Sequence, residues 1–458
     1  MDKKQPTKIS LFLSIAICLI INGCQSPQSK PNVIIIFTDD QGYADVGVYG
    51  AEGFQTPNLD GLAADGIKFT DFYVAATVCT PSRAALLTGS YPKRVGLHEA
   101  VLFPYSEKGL SPDELIIPEV LKEKGYTSAC VGKWHLGHKE KFMPYNQGFD
   151  HYYGVPYSND MDNHFYQHNN FQSPPLPLIV NGKEIESGPD QRYLTRKYTE
   201  ESIRFIREQK DKPFFLYLAH NMPHLPLHVS EKFDGVSEYG LYGDVISEID
   251  WSVGEIVQAL KEEGLYDNTI IIFTSDNGPV TWTKAGNAKP LRGSKGTTWE
   301  GGQRVPAIVT WPKNIQKGQV INQVVTAMDI LPTVADITGA KLPTDLKIDG
   351  SSIKNLLMDP NKYTSSERPL YYYARNGNLE AVRLGKWKLH SLKSNGWNEA
   401  EQGEFTVSLY DLENDISETQ NLADNHPEVV ERLKKMMEDF DNQLTKEARP
   451  VGTWIQSN

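Results

Sequence analysis

The run Cys79-Thr80-Pro81-Ser82-Arg83-Ala84-Ala85-Leu86-Leu87-Thr88-Gly89 places a thiol at the entrance to a helix-forming segment. Pro81 suits the first turn of a helix, Ala84 to Leu87 its body and Gly89 its end. The start of a helix offers unpaired N–H groups and the positive end of the dipole, and both favour an anion. Arg83, on the first turn, can point back toward Cys79. On these grounds Cys79 is a candidate reactive cysteine. The alternative is a half-buried cysteine beside a helix cap.

Two acidic pairs have a related placing. Asp39-Asp40 ends the apolar run V-I-I-I-F-T, and Asp276-Asn277 ends T-I-I-I-F-T-S. Three carboxylates drawn together repel unless a cation sits among them. All four side chains offer oxygen, which suits a hard ion such as calcium or magnesium. Acids at one strand end also serve as helix caps; two such ends beside the cysteine run favour metal. Arg83, Lys133 and Lys295 supply positive charge for an anionic group, and His135 and His224 can move protons. Each histidine also has a structural alternative. For His220 two readings stand, contact with a substrate or orientation of the sheet.

The elements that must position these residues can be read from the same rows. Val33 to Thr38, Thr127 to Val131, Phe214 to Ala219, Thr269 to Ser275 and Val305 to Thr310 are short β-type runs that end in polar residues. Continuous apolar runs suit strands buried on both faces, as in a parallel sheet. Helical patterns lie between them: one opened by Thr56 as cap and Pro57, then Ile117 to Lys124, Tyr193 to Gln209, and Tyr239 to Glu263 ended by Gly264. Strands alternating with helices predict a doubly wound α/β sheet, which binds ligands beyond the carboxyl ends of its strands. After about residue 365 short runs around Tyr371, Val382 and Lys388 predict antiparallel strands. Pro427 to Leu444 predicts an amphipathic closing helix on Val430, Leu433, Met437 and Phe440. The segment Tyr152 to Arg192 reads equally as an active-site loop or a surface insertion.

Composition sets limits on function. The chain has 458 residues, 39% hydrophobic and 23% charged, with a net charge of −12. That acidity argues against nucleic acid as a partner, and it means that anion capture must gather cations locally. Lys3, Lys4 and Lys8 precede an apolar run, Ile9 to Ile21, too short to span a bilayer comfortably. The following Ile21-Asn22-Gly23-Cys24 resembles a bacterial lipobox. Cleavage before Cys24 would leave a lipidated cysteine and a tether, Gln25 to Lys30, anchoring an exported lipoprotein at the outer membrane, facing the periplasm or the cell surface. The alternative is an ordinary signal peptide with an incidental cysteine. Of the four cysteines, Cys18 would leave with the signal, Cys24 would carry lipid, and Cys130 sits in an apolar stretch where burial explains it. Cys79 remains for chemistry.

The stretch Cys79 to Gly89 resembles the C-x-P-S-R…T-G signature of the type I sulfatases. The resemblance continues through Asn32 to Gly42, Gly132-Lys133-Trp134-His135-Leu136-Gly137, Pro223-His224-Leu225-Pro226, Ser275-Asp276-Asn277-Gly278, Arg292 to Thr297 with Glu300-Gly301-Gly302, Leu409 to Leu412, and Asn421-Leu422. It departs at Asp415-Ile416, where the family often has Asp-Pro, in an expected surface turn. The resemblance implies an alkaline-phosphatase-like, mixed and mostly parallel sheet flanked by helices. It implies that Cys79 is oxidised to formylglycine by a dedicated generating enzyme. One calcium would be held by Asp39, Asp40, Asp276, Asn277 and the modified residue 79. Lys133 and Arg83 would hold the aldehyde hydrate, whose hydroxyl attacks sulfur. Lys295 and His224 would assist the leaving oxygen, and His135 would be the base that releases sulfate. A lipid-anchored member fits the degradation of sulfated polysaccharide, an algal glycan such as ulvan or a glycosaminoglycan.

The expected organisation is a signal peptide over 1–23, a tether over 24–30, a catalytic domain over 31–364, and a smaller C-terminal α+β subdomain over 365–458. Two rivals to the sulfatase reading stand: a phosphonate or phosphate monoester hydrolase of the same superfamily, and a non-catalytic lipoprotein that binds sulfated glycan.

Overall fold

All seven residues of the strand Asn32–Thr38 are buried. Val33, Ile35 and Phe37 enter one apolar cluster, and Ile34 and Ile36 enter another. A strand points successive side chains to opposite faces, so an unbroken apolar run needs a sheet covered on both sides. The computed structural model describes residues 1–2, 30–99, 101–162, 174–283, 285–363, 367–394, 396 and 405–455. The signal segment, Cys24 and the expected domain junction at 364–365 lie outside the described residues.

The main sheet has ten strands: β1 (Asn32–Thr38), β2 (Ile67–Phe69), β3 (Thr127–Gly132), β4 (His151–Gly154), β5 (Pro177–Val180), β6 (Lys183–Ser187), β7 (Phe214–Ala219), β8 (Thr269–Ser275), β9 (Ala307–Thr310) and β10 (Gln319–Ile321). Their order is β10-β2-β9-β8-β1-β7-β3-β4-β5-β6. The centre, β8-β1-β7-β3-β4, is parallel throughout. β9 runs antiparallel to β8, which makes the sheet mixed but mostly parallel, as expected. β9 is apolar on both faces all the same, because burial, not direction, sets that pattern. The segment after Tyr152 is neither a plain loop nor a plain insertion. Its described part continues the sheet as the β5–β6 hairpin, whose exposed edge explains the weak periodicity.

Helices cover both faces. α1 (Pro57–Ala64), α4 (Leu194–Glu208) and α5 (Leu241–Glu262) pack on one side through Leu59, Tyr198, Phe205, Val253 and Ile256. α2 (Cys79–Thr88), α3 (Ile117–Lys122) and α6 (Ile330–Thr338) pack on the other through Leu87, Leu121 and Val334. Thr56 does not cap α1. Its hydroxyl accepts from the Gly47 N–H at 2.7 Å. The α1 N-terminus is capped instead by Asp250 of α5, which accepts from the Asn58 and Leu59 N–H groups at 3.1 and 2.8 Å.

A second, antiparallel sheet follows in the order β11 (Leu370–Tyr373), β12 (Leu379–Leu384), β13 (Trp387–His390), β14 (Ser408–Asp411). The closing helix α7 (Pro427–Lys446) lays Val430, Leu433 and Met437 against it. Phe440 stacks on Tyr371 with ring centroids 3.8 Å apart. Beneath the sheet the buried Glu300 carboxylate accepts from Lys388, Tyr372 and Tyr73 at 2.9, 2.9 and 2.5 Å. Lys388 also pairs with Glu418 at 2.8 Å, brought inward by the turn after Asp415. Arg304 adds a second cation to Glu300 at 3.3 Å, and this pairing is what permits ions so deep in the fold.

Candidate active site

The site lies beyond the carboxyl ends of β1, β8, β3 and β7. Where β1 and β8 end side by side, the Asp276 N–H bonds to Thr38 O at 3.0 Å and the Asp40 N–H to Asp276 Oδ1 at 3.1 Å. The two acidic pairs are therefore joined through the backbone before any ion is considered. Asp40 has φ +66°, a left-handed conformation that costs a non-glycine residue about 1–3 kcal/mol and persists where its surroundings hold it. His135, at the end of β3, has φ +60°. Its backbone is tied through its N–H to Pro156 O at 3.1 Å.

Cys79 is the first residue of α2, with Val78 as N-cap, not a residue ahead of the helix. Arg83 lies one turn on, on the same face. Its guanidinium donates to Asp276 Oδ2 from Nε and Nη2, at 3.1 and 2.8 Å, and to Lys133 O at 3.0 Å. Lys133 Nζ lies 2.5 Å from Asp39 Oδ2, and Lys295 Nζ lies 2.7 Å from Asp40 Oδ2. His224 Nε2 is 3.6 Å from the same Asp40 oxygen. The pocket has thus collected the local cations that an acidic protein needs to bind an anion.

Burial decides the protonation states. It pushes the Cys79 thiol well above its usual range, despite Lys133 and Lys295 nearby. Burial thus opposes the thiolate that the helix start would favour. Burial, then Lys133 and Arg83, push His135 well below the imidazole range, so its ring is neutral. Its Nε2 faces the Leu102 carbonyl at 2.9 Å. A carbonyl only accepts, so Nε2 carries the proton and Nδ1 holds a free lone pair. Nδ1 is buried without a partner among the described residues, as a base requires.

The carboxylates are in conflict without a further cation. Burial alone would raise Asp39, yet Lys133, His224, Arg83 and Lys295 hold it well below the carboxylate range. Burial and the neighbouring Asp39 push Asp276 up to about 7. Ligand atoms of Asp39, Asp40, Cys79 and His224 lie within 4.8 Å of one another. The Asn277 amide nitrogen donates to Asp40 Oδ1 at 2.6 Å, and the side-chain oxygen Oδ1 is buried without a partner among the described residues. Crowded carboxylates and an unused amide oxygen fit a hard cation. Asp39, Asp40, Asp276, Asn277 and position 79 would hold it, with His224 also within reach.

Two contributors carried no signal in the sequence. Ser158 Oγ accepts from Lys133 Nζ at 3.1 Å. The Leu102 carbonyl fixes the His135 tautomer, and the Leu102 N–H is held by Thr80 Oγ1 at 3.1 Å. A serine and a main-chain carbonyl on irregular segments show neither charge nor periodicity. His220 faces away from this chemistry. Its Nε2 is 3.4 Å from Ser252 Oγ of α5, which bonds Thr199 of α4 at 2.6 Å. It orients helices against the sheet.

Fold and site together define a hydrolase that binds an anionic ester over a metal-ready bowl at the strand tips. Residues 31–340 match the Sulfatase family model, and residues 294–443 match the model for the C-terminal part of N-sulphoglucosamine sulphohydrolase. The chain belongs to the sulfatase family and is a sulfuric ester hydrolase. It is 39% identical to the rat N-acetylgalactosamine-6-sulfatase over 415 residues, 86% of this chain and 77% of the relative. It is 36% identical to human arylsulfatase A over 470 residues, 93% and 90% of the two chains. Among solved structures it is similar to Ps i-CgsB in complex with k-i-k-neocarrahexaose, with TM-score 0.80, 32% identity and 92% and 94% of the chains covered. The PsFucS1 sulfatase from Pseudoalteromonas sp. gives TM-score 0.81 at 31% identity, covering 92% of each chain. A phosphonate monoester hydrolase of Agrobacterium radiobacter, at 20% identity and TM-score 0.63, shares the fold.

Proposed function

We propose that this sulfatase desulfates sulfated polysaccharides or their oligosaccharides, of the algal-glycan or glycosaminoglycan class, with Cys79 converted to formylglycine and one calcium ion in the site. The observation that carries the reading is the place of the Cys79 side chain, buried on the first turn of α2 in a cluster whose ligand atoms, with those of Asp39, Asp40 and His224, lie within 4.8 Å of one another. An aldehyde hydrate at that place would supply the nucleophile. Calcium would acidify the attacking oxygen and polarise the sulfate oxygens. Because Cys79 is only 2% exposed, a generating enzyme must act on the chain before it folds.

The protein residues do the rest. Arg83 and Lys133 would fix the oxygens at position 79; Arg83 also pairs with Asp276, and Lys133 holds Asp39 ionised. Lys295, with His224 beside it, stands on the opposite rim and protonates the departing alcohol oxygen. His135 takes a proton at Nδ1 when sulfate is released. The neighbour bound to a neocarrahexaose and the relative named for N-acetylgalactosamine support carbohydrate as the leaving group. Initial rates on p-nitrophenyl sulfate and p-nitrophenyl phosphate, then on defined sulfated oligosaccharides, test the reading. Sulfate is expected to be preferred, and a preference for phosphate would overturn it.

The lysine-rich start, the apolar run and Gly23-Cys24 support export and a lipid anchor at Cys24. Among the described residues no helix is long and apolar enough to cross a membrane. A cysteine carrying several acyl chains holds stably to a membrane. Cys24→Ala is expected to release the protein from the membrane fraction, and unchanged retention would rule the anchor out.

A further inference from the structure

Asp45 is buried, 1% exposed, and touches none of the residues assigned to the chemistry. One of its oxygens, Oδ2, accepts three hydrogen bonds: from the Gly42 N–H at 2.8 Å, the Asn287 N–H at 3.0 Å and the Tyr242 hydroxyl at 2.6 Å. The donors come from three separate places: the turn that follows Asp39-Asp40, the loop that leads to Lys295, and the first turn of α5. The backbone closes the same junction, with the Ala44 N–H bonded to Asn287 O at 3.0 Å and the Asp45 N–H to Gly42 O at 3.1 Å. The Gln41 amide bonds back to Asp45 O at 3.0 Å, while its N–H reaches Ser275 Oγ at 2.9 Å. A Cβ on Gly42 would collide with the Asn287 carbonyl, Asp45 Oδ2 and Pro279, the residue just past Asn277-Gly278. The turn after Asp40 and the loop that leads to Lys295 therefore both bond this one carboxylate.

Asp40 gives the arrangement its purpose. Its left-handed backbone has to be imposed from outside, and Gln41 and Gly42, the next residues, are both held by Asp45. We propose that Asp45 is a positioning residue for the metal bowl: its carboxylate locks the turn after Asp40, and so aims the Asp39 and Asp40 carboxylates at the ion. The inference rests on the calcium reading given above. It assigns Asp45 no contact with the ion or the substrate. Groups behind metal ligands commonly change affinity by about 10–100-fold when removed.

Calcium titration of the whole, chelator-treated chain tests it, with thermal unfolding measured beside it. Asp45→Asn keeps the shape but loses the charge on which the three donors converge; Tyr242→Phe removes one donor. The expected result is a calcium Kd raised about tenfold or more in Asp45→Asn and by less in Tyr242→Phe. Excess calcium is expected to bring p-nitrophenyl sulfate turnover by Asp45→Asn back to within about threefold of wild type. A residue that only supports the fold would lower the unfolding midpoint equally with and without calcium and leave Kd unchanged; that result would overturn the proposal. Absence of calcium binding by wild type would overturn the metal reading and this proposal together. Wild-type binding with an unaltered Kd in Asp45→Asn would overturn this one alone.

Discussion

Lys295 and His135 show how one buried pocket separates acid from base. The Lys295 ammonium, which burial alone would discharge, is held charged by Asp40 at 2.7 Å. His135 is neutral, with its proton fixed on Nε2 by the Leu102 carbonyl. Lys295→Ala should lower kcat by about 10²–10⁴-fold on a sugar sulfate, the usual scale of general acid catalysis. The loss should be much smaller on p-nitrophenyl sulfate, whose leaving oxygen scarcely needs a proton. Equal losses on the two substrates would remove Lys295 from that role. At this scale the polar residues at the strand ends were legible in the sequence, because Asp39, Asp40, Lys133, His135, Asp276 and Asn277 all follow apolar runs that suit buried strands. Ser158, Leu102 and Asp45 were not, because each acts through a contact made on folding.

The elements place these groups by ending together. β1, β7 and β3 stop in register beneath Asp39 and Lys133, with the Lys133 N–H bonded to Ala219 O at 2.7 Å and the Asp39 N–H to Met222 O at 3.2 Å. The expected strand and helix positions hold to within a residue or two, since two-sided burial and helix-ending glycines such as Gly89 and Gly264 are local signals. The direction of β9 and the cap of α1 are long-range facts with no local sign. Asp250→Ala should cost about 1–2 kcal/mol, the scale of a lost cap, because it leaves the Asn58 and Leu59 N–H groups without their acceptor. Thr56→Ala should cost less. Urea unfolding of the two variants would check the order, and the reverse order would return the cap to Thr56.

Across the whole molecule, buried titratable groups tie stability to pH. Burial pushes both His220 and His390 down to about 4. They are neutral in the fold but take up protons below about 6.5 in the unfolded chain. Between those values the unfolded state binds more protons, so stability falls as the pH drops from about 6.5 toward 4, by on the order of 3 kcal/mol per histidine. Glu300 extends the effect to lower pH. Burial alone would raise it, but Lys388, Arg304 and Arg383 hold it well below its usual value. Its contribution is present above about 4.5 and is lost as the pH falls further. His220→Gln should therefore flatten the fall in melting temperature between pH 7 and 4. An acid slope identical to wild type would show that His220 is not a source of it.

The account turns on one atom-level change at residue 79, so the most direct measurement is the mass of the peptide that contains it, taken from protein whose p-nitrophenyl sulfate turnover has been measured. Conversion of the thiol to an aldehyde predicts a loss of about 18 Da, and kcat should scale with the fraction converted across preparations made with and without a formylglycine-generating enzyme. Cys79→Ala should fold with a wild-type melting profile and show no turnover. Fully active enzyme carrying an intact thiol at residue 79 would contradict the account.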